Sequence, residues 1–268
     1  MPPDAFAEML ALEERGLDRF VATGPAYPWG VLYGGQVVAQ ALRAAGATVD
    51  GDRHVNSLHA YYLSAGADGA PIELEVARVR DGRSFSVRSV LARQEGRTLV
   101  SLTASFHVDE GSDRHDAVAI PEVEGPEGLR AGGWSPMFDR RYAPLPTEPG
   151  RVHAWLRLRT ELGDDPLLQG CALAFMADDI PDDAVVALLH PTRPPSDELE
   201  SRDWSISTQS LDFALWLHRP LRSDGWQLHD LRCSTLVNSC AMVAGEIFAA
   251  DGSHLATLSQ QVLVRRRP

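Results

Sequence analysis

The sequence predicts an α+β fold made of two tandem units in one chain, each an antiparallel sheet wrapped round a long central helix. Three observations predict it. The elements run helix, strands, linker, helix, strands. The strands come in runs joined by short turn signals instead of alternating with helices, which disfavours a parallel βαβ sheet. The two halves also match locally: Ser84-Phe85-Ser86-Val87 running to Glu95-Gly96 pairs with Ser239-Cys240-Ala241-Met242 running to Asp251-Gly252. Each is followed by an apolar alternating stretch, Leu99-Val100-Ser101-Leu102 and Leu255-Ala256-Thr257-Leu258. An internal duplication is the simplest account.

The first helix follows Gly34-Gly35 and runs Gln36 to Gly46, rich in Ala, Leu and Gln and nearly apolar all round, so it is expected to be buried on most sides. Strands fill Tyr62 to Val108: Glu73–Val79 alternates, Asp81-Gly82 signals a turn, Ser84–Arg93 alternates, Glu95-Gly96 signals a second turn, and Thr98–Val108 is a further strand. Residues 109 to 150 change character, with a polar opening and prolines at 121, 126, 136, 144, 146 and 149, and read as a long linker or an excursion with little regular structure. The pattern then resumes with a strand over Arg151–Arg159 and a second apolar, Ala-rich helix over Leu167–Ala177. Strands follow over Ser205–Leu217, Trp226–Ser234, Asn238–Ala249 and, after an Asp251-Gly252 turn, His254–Val264. One long helix wrapped by an antiparallel sheet, made twice, is a double hotdog: a first module over residues 1–110, a linker or excursion over 111–150, and a second module over 151–268.

Size and composition agree. A chain of 268 residues suits one large domain or two of about 130, and 44% hydrophobic residues suffice for a real core. The net charge of −12, from 25 basic and 37 acidic residues, argues against nucleic acid as partner. Every basic residue is Arg. The three cysteines, Cys171, Cys233 and Cys240, are few, odd in number and without paired zinc spacing, and read as free thiols in a reducing compartment. No signal peptide is expected at Met1–Leu10, no transmembrane helix anywhere, and no targeting signal at Arg265-Arg266-Arg267-Pro268. A cytoplasmic protein follows.

Three residues draw attention on chemical grounds. Leu167, Cys171, Ala174 and Asp178 share one helical face, and a carboxylate on an apolar face needs a reason. Two readings stand: a partly desolvated carboxylate that orients or deprotonates water, or a solvated helix end shared with Asp179. In the last strand Ala256, Leu258, Gln260, Val262 and Val264 share a face, and the matching residue of the first half is Ala104. A polar side chain in one copy of the duplicated unit points to one specialised site per chain, although the strand alone favours a core glutamine bonded to backbone, or a register shifted by one. Ser210 shares a strand face with Asp212, which by itself distinguishes nothing.

Other chemistries lack their motifs. There is no Gly-x-Ser-x-Gly elbow, no Gly-x-Gly-x-x-Gly and no P-loop. The Asp178-Asp179-x-x-Asp182-Asp183 run lacks the Gly and terminal Glu of a calcium loop and reads as solvated. The nine histidines show no ligand pair on one face, His59 and His218 reading as structural. Neither a metal nor a cofactor is expected.

Taken together, Tyr33-Gly34-Gly35-Gln36-Val37-Val38-Ala39-Gln40-Ala41-Leu42, Ser57-Leu58-His59-Ala60-Tyr61-Tyr62-Leu63, Arg80-Asp81-Gly82-Arg83-Ser84-Phe85, Thr103-Ala104-Ser105-Phe106, Leu211-Asp212 through Trp216-Leu217-His218-Arg219-Pro220, and the terminal Asp251-Gly252…Gln260 resemble, in order and spacing, the acyl-CoA thioesterase II (TesB-like) family of double-hotdog enzymes. The resemblance spans nearly the whole chain outside the linker. It implies hydrolysis of acyl-CoA thioesters in fatty-acid metabolism, with an Asp on the second central helix, a Ser or Thr on the following strand and a Gln on the last strand holding the attacking water. These fall on Asp178, Ser210 and Gln260. Asp179 stands beside Asp178 as the alternative carboxylate, because the family's apolar continuation is here Asp179-Ile180-Pro181-Asp182-Asp183. The backbone near Gly34, Gly35 and Gln36 is a candidate oxyanion donor, and His59 a candidate substrate contact. The substrate is acyl-CoA, without stable membrane insertion, and exposed sheet edges favour a homo-oligomer. The competing readings are a non-catalytic acyl-CoA or lipid-binding module and a hotdog enoyl-CoA hydratase, which wants an Asp-x-x-x-x-His segment that Asp52-Arg53-His54 does not supply.

Overall fold

The computed structural model describes residues 5–111, 113–192 and 206–266. The first half carries a short helix α1 (Ala5–Met9), strands β1 (Glu13–Glu14) and β2 (Arg19–Ala22), and the long helix α2 (Gly34–Gly46). Strands β3 (Arg53–Tyr62), β4 (Ile72–Asp81), β5 (Phe85–Gln94) and β6 (Arg97–Val108) complete it. After it come β7 (Ala131–Gly132), β8 (Phe138–Tyr142) and β9 (Arg151–Leu158), then helices α3 (Pro166–Ala177) and α4 (Pro181–Leu189). The chain closes with β10 (Ile206–Ser210), β11 (Asp212–Leu217), β12 (Gln227–Val237), β13 (Cys240–Ala249) and β14 (His254–Arg266). The expected opening of the 205–217 strand at Ser205, and the chain ends at 1–4 and 267–268, lie outside the described residues.

Among the described residues the strands form one antiparallel sheet in the order β1-β2-β4-β5-β6-β3-β11-β14-β13-β12-β9-β8-β7, with β10 pairing β14. The halves join where β3 meets β11, with Leu58 opposite Leu215 and Ala60 opposite Phe213. Each half wraps its sheet round a helix, the double hotdog architecture. Both central helices are apolar because neither has a face that meets water: Gln36 to Leu42 and Gln169 to Ala177 are buried without interruption. They lie side by side and antiparallel. A Cβ at Gly35 would stand 2.6 Å from the Phe175 carbonyl oxygen, and one at Gly46 would stand 2.4 Å from Leu167 Cδ2. These two glycines let the helices approach. The amino end of α2 therefore abuts the carboxyl end of α3. A Pro at the first turn and the Asp165 carboxylate, accepting from the Leu167 and Leu168 amides, start α3.

Several elements depart from expectation. Arg53–Tyr62 forms β3, whose alternation is interrupted by a bulge between Val55 and Ser57 and resumes from Leu58. Asn238 and Ser239 do not open a strand: both have positive φ, 51° and 62°, and make the two-residue turn between β12 and β13. The expected continuous strand to Leu217 breaks at Leu211, where Ser210 faces Val262 but Ala214 already faces Ser259, one residue out of step. The Asp212 carboxylate accepts the Gln261 amide at this bulge. Within 109–150, β8 pairs with β9 and extends the second half of the sheet. The acidic run after Asp178 is not a solvated loop: Pro181–Leu189 is helix α4, because alanines, valines and leucines bury its inner face and Pro181 sits at the favoured first position. No helix among the described residues is long and apolar enough to cross a membrane.

Candidate active site

Asp178 caps the carboxyl end of α3 and is 8% exposed. Period two along β14 turns Gln260 inward, where it is 1% exposed. The bulge at Leu211 sets Ser210, on β10, beside it. The three side chains form one bonded group: Gln260 Nε2 donates to Ser210 Oγ at 2.6 Å and to Asp178 Oδ1 at 3.1 Å. Gln260 Oε1 is buried without a protein partner. The structure thus brings together the three residues that the sequence resemblance selected, across 82 residues of chain between Asp178 and Gln260.

The first half contributes a fourth member. Tyr62 ends β3 on the inward face with Leu58 and Ala60, and its hydroxyl donates to Asp178 Oδ1 at 2.9 Å. Sequence reasoning passed over it. The signal was a Tyr in phase with buried Leu58 and Ala60, whose polar tip requires a partner. Gly34 faces the same carboxylate: a Cβ there would lie 2.9 Å from Asp178 Oδ2 and 2.8 Å from Tyr62 Cε1. No side chain caps the first turn of α2, so the positive end of that helix dipole is turned toward Asp178.

Burial dominates the electrostatics. It pushes the Asp178 carboxyl up to about 7, against the hydrogen bonds from Tyr62 and Gln260 and with Asp182 and Asp179 adding to the rise. Burial likewise holds the Tyr62 and Tyr33 hydroxyls neutral. A carboxylate with a proton affinity near neutrality, bonded to an amide whose own acceptor is unpartnered, is suited to hold a water molecule and take its proton.

The remaining candidates separate. Gln36 is committed elsewhere. Its Oε1 accepts from Tyr27, its Nε2 donates to Gln40, and its backbone amide donates to the Tyr33 carbonyl. Gly34 and Gly35 remain at the helix start. His59 lies on the opposite face of β3 from Tyr62, edge-on to Trp216 with ring centroids 5.0 Å apart, and does not join the cluster. Trp29 packs with Tyr27, Tyr33 and Trp134 beside the start of α2. Asp179 turns away from Asp178: Trp134 Nε1 donates to its Oδ1 at 2.5 Å and the Arg140 guanidinium pairs with its Oδ2. Two histidines do stand together on one face, contrary to expectation. The strand ends bring His218 beside His254, centroids 4.5 Å apart, with Glu246 bonded to His254 at 2.6 Å and Thr257 between them. This group is the His/Glu cluster with metal-ligand spacing among the described residues.

Among the described residues the first half has no matching constellation. Ala104 is fully buried where the second half has Gln260, and its register partner Arg88 bonds Thr48, Asp81 and the Arg80 carbonyl.

The chain is similar to known proteins. The models of the acyl-CoA thioesterase N-terminal domain and C-terminal domain match residues 23–107 and 113–264. Acyl-CoA thioesterase 2 of Haemophilus influenzae is 29% identical, over 96% of this chain and 96% of that one. Acyl-coenzyme A thioesterase 8 of Homo sapiens is 29% identical over 88% of this chain and 81% of its own length. The crystal structure of acyl-CoA thioesterase II TesB2 from Mycobacterium marinum superposes with a TM-score of 0.83 at 32% identity, covering 98% of each chain. By its matched domains, its similarity to these thioesterases and its double hotdog architecture, the chain belongs to the acyl-CoA thioesterase family of thioester hydrolases.

Proposed function

We propose that this protein hydrolyses acyl-CoA thioesters to the free acid and coenzyme A, by direct attack of a water held by Asp178, Ser210 and Gln260. One observation carries the reading: Gln260 donates to both Asp178 and Ser210 while its buried Oε1 has no partner. A water beside that oxygen and the carboxylate meets two acceptors, which orients its lone pair outward, toward the thioester carbonyl. Asp178 takes the water's proton as the oxygen attacks the carbonyl carbon. The carbonyl oxygen gains the negative charge and is received by the backbone at Gly34 and Gly35, at the positive end of α2. Collapse of the tetrahedral intermediate breaks the carbon–sulfur bond, and the proton on Asp178 passes to the departing thiolate. Tyr62 and Gln260 hold the carboxylate in place throughout. The step forms no covalent enzyme intermediate, and general base catalysis of this kind is worth ~10²–10⁴-fold.

The three free cysteines fit a reducing cytoplasm, and exposed Tyr61 and Leu63 beside the join of the two halves fit a homo-oligomer, which light scattering tests. Release of free thiol from acyl-CoAs of graded chain length, with wild type beside Asp178→Asn, tests the function. Turnover that collapses in a folded variant is the expected result. Binding of acyl-CoA without thiol release at any chain length overturns the reading in favour of a binding module.

A further inference from the structure

The segment between the two halves does more than tether them. Residue 140 lies on β8, and its guanidinium is 3% exposed. It pairs with Asp179 Oδ2 and stands 3.8 Å from Asp183 Oδ2. Trp134 from the same segment donates to the other Asp179 oxygen, and the Tyr142 hydroxyl donates to Asp183. Thr208 on β10 donates to Asp182 at 2.7 Å. Four carboxyl groups, of Asp178, Asp179, Asp182 and Asp183, therefore crowd the junction of α3 and α4, and one segment supplies a cation and two neutral donors to them. A buried ion pair that loses one partner leaves an uncompensated charge, and here that charge would sit on the residue adjoining Asp178.

We propose that Arg140 is a positioning residue: it neutralises Asp179 and holds that carboxylate away from Gln260 and Ser210, so that Asp178 alone presents a carboxylate to the substrate. The proposal rests on Asp178 being the catalytic carboxylate. It also accounts for two adjacent aspartates of equal burial, 8% each, having different surroundings: Asp178 meets the uncharged donors Tyr62 and Gln260, and Asp179 meets Arg140 and Trp134. The charged and titratable groups that act on Asp178 are Tyr62 from β3, Asp179 on its own turn and Asp182 from α4, with Tyr33 before α2 facing it; Asp183 from α4 and Arg140 and Tyr142 from β8 stand one contact farther out, around Asp179. Asp212 faces Tyr62 from β11. Arg140 is the cation among them. Without it, Asp179 acts on Asp178 as an unscreened like charge, which raises the proton affinity of the site carboxyl.

The test follows the carboxyl carbon of Asp178 by NMR in full-length protein, assigned by its loss in Asp178→Asn, with the pH profile of kcat measured in parallel. Arg140→Gln is expected to raise the Asp178 midpoint by about one pH unit and to move the acid limb of kcat with it. Arg140→Lys is expected to restore most of the difference, and Arg140→Gln combined with Asp179→Asn to abolish it, because no orphan charge remains. Should Arg140→Gln fail to fold, Asp179→Asn alone decides: leaving Arg140 unopposed, it is expected to lower the Asp178 midpoint. A midpoint unmoved by Arg140→Gln, or unmoved or raised by Asp179→Asn, overturns the proposal. A wild type that releases no thiol refutes the proposed reaction, while the NMR midpoints still decide whether Arg140 governs Asp178.

Discussion

Replacing Asp178 with Asn should disable the enzyme and stabilise the fold, and the two effects have one cause. Burial lifts the carboxyl from 3.8 to about 7. Between those values an unfolded chain has released the proton while the folded chain retains it. Stability contributed by this residue is therefore highest below about pH 4 and declines as pH rises through 7. The gap of roughly three pH units corresponds, at about 1.4 kcal/mol each, to about 4 kcal/mol of penalty above pH 7. Asparagine keeps an acceptor for Tyr62 and Gln260 but brings an NH₂ group that needs its own acceptor, so about half of that gain, ~2 kcal/mol, should survive. For a chain of this size that is an increase of ~4–8 °C in Tm at pH 8. Thermal melts of both proteins at pH 4.5 and pH 8, followed by circular dichroism, measure it, and thiol release gives the accompanying loss of ~10²–10⁴ in kcat. A difference in Tm that is the same at both pH values would falsify the desolvation argument. Turnover that survives the substitution would move the base elsewhere.

Further consequences follow from the same geometry. Gln260→Ala, which removes the donor to both Ser210 and Asp178, should lower kcat ~100-fold, and Ser210→Ala less, with KM little changed in steady-state assays. Tyr62→Phe removes a hydrogen bond that lowers the Asp178 proton affinity, so the acid limb of the pH–rate profile should move upward, with the loss largest near pH 7 and small at pH 9. Gly34→Ala would press a methyl group against Tyr62 and Asp178 and should reduce kcat by ~10-fold or more in a protein that still melts cooperatively. Arg88→Met, far from the site in the first half, strips two buried bonds from Thr48 and a part-buried one from the half-exposed Asp81; a loss of ~2–3 kcal/mol by denaturant titration with unchanged kcat is expected, from the Thr48 acceptors left unpaired.

Much of the fold was legible because it rests on short-range patterns. The apolar, Ala-rich runs at 36–46 and 167–177 point to buried helices, and Glu95-Gly96 marks its hairpin through the glycine, which takes positive φ without strain. Asn238-Ser239 makes the same kind of turn with a Ser in place of the usual Gly, so its sequence reads as strand. The duplication was visible because hairpins of one spacing recur. Helix α4 was missed because Asp182 and Asp183 read as solvent-facing. In the folded chain Thr208 and Tyr142 supply their donors, and burial pushes the Asp183 carboxyl up to about 7.

For the site, the sequence by itself determined which residues were available: one acidic side chain on an apolar helix face, one amide on an apolar strand face, and a first half with Ala104 in the matching place. Tertiary structure decided which of Asp178 and Asp179 meets Gln260, and it brought in Tyr62 from the other half. It also set His59 against Trp216 on the opposite face of β3 from Tyr62, and bonded Gln36 to Tyr27 and Gln40. These choices depend on contacts between residues far apart in the chain, 116 positions for Tyr62 and Asp178. Periodicity fixes only the side of an element on which a residue lies, whereas the antiparallel packing of α2 against α3 sets what stands opposite it.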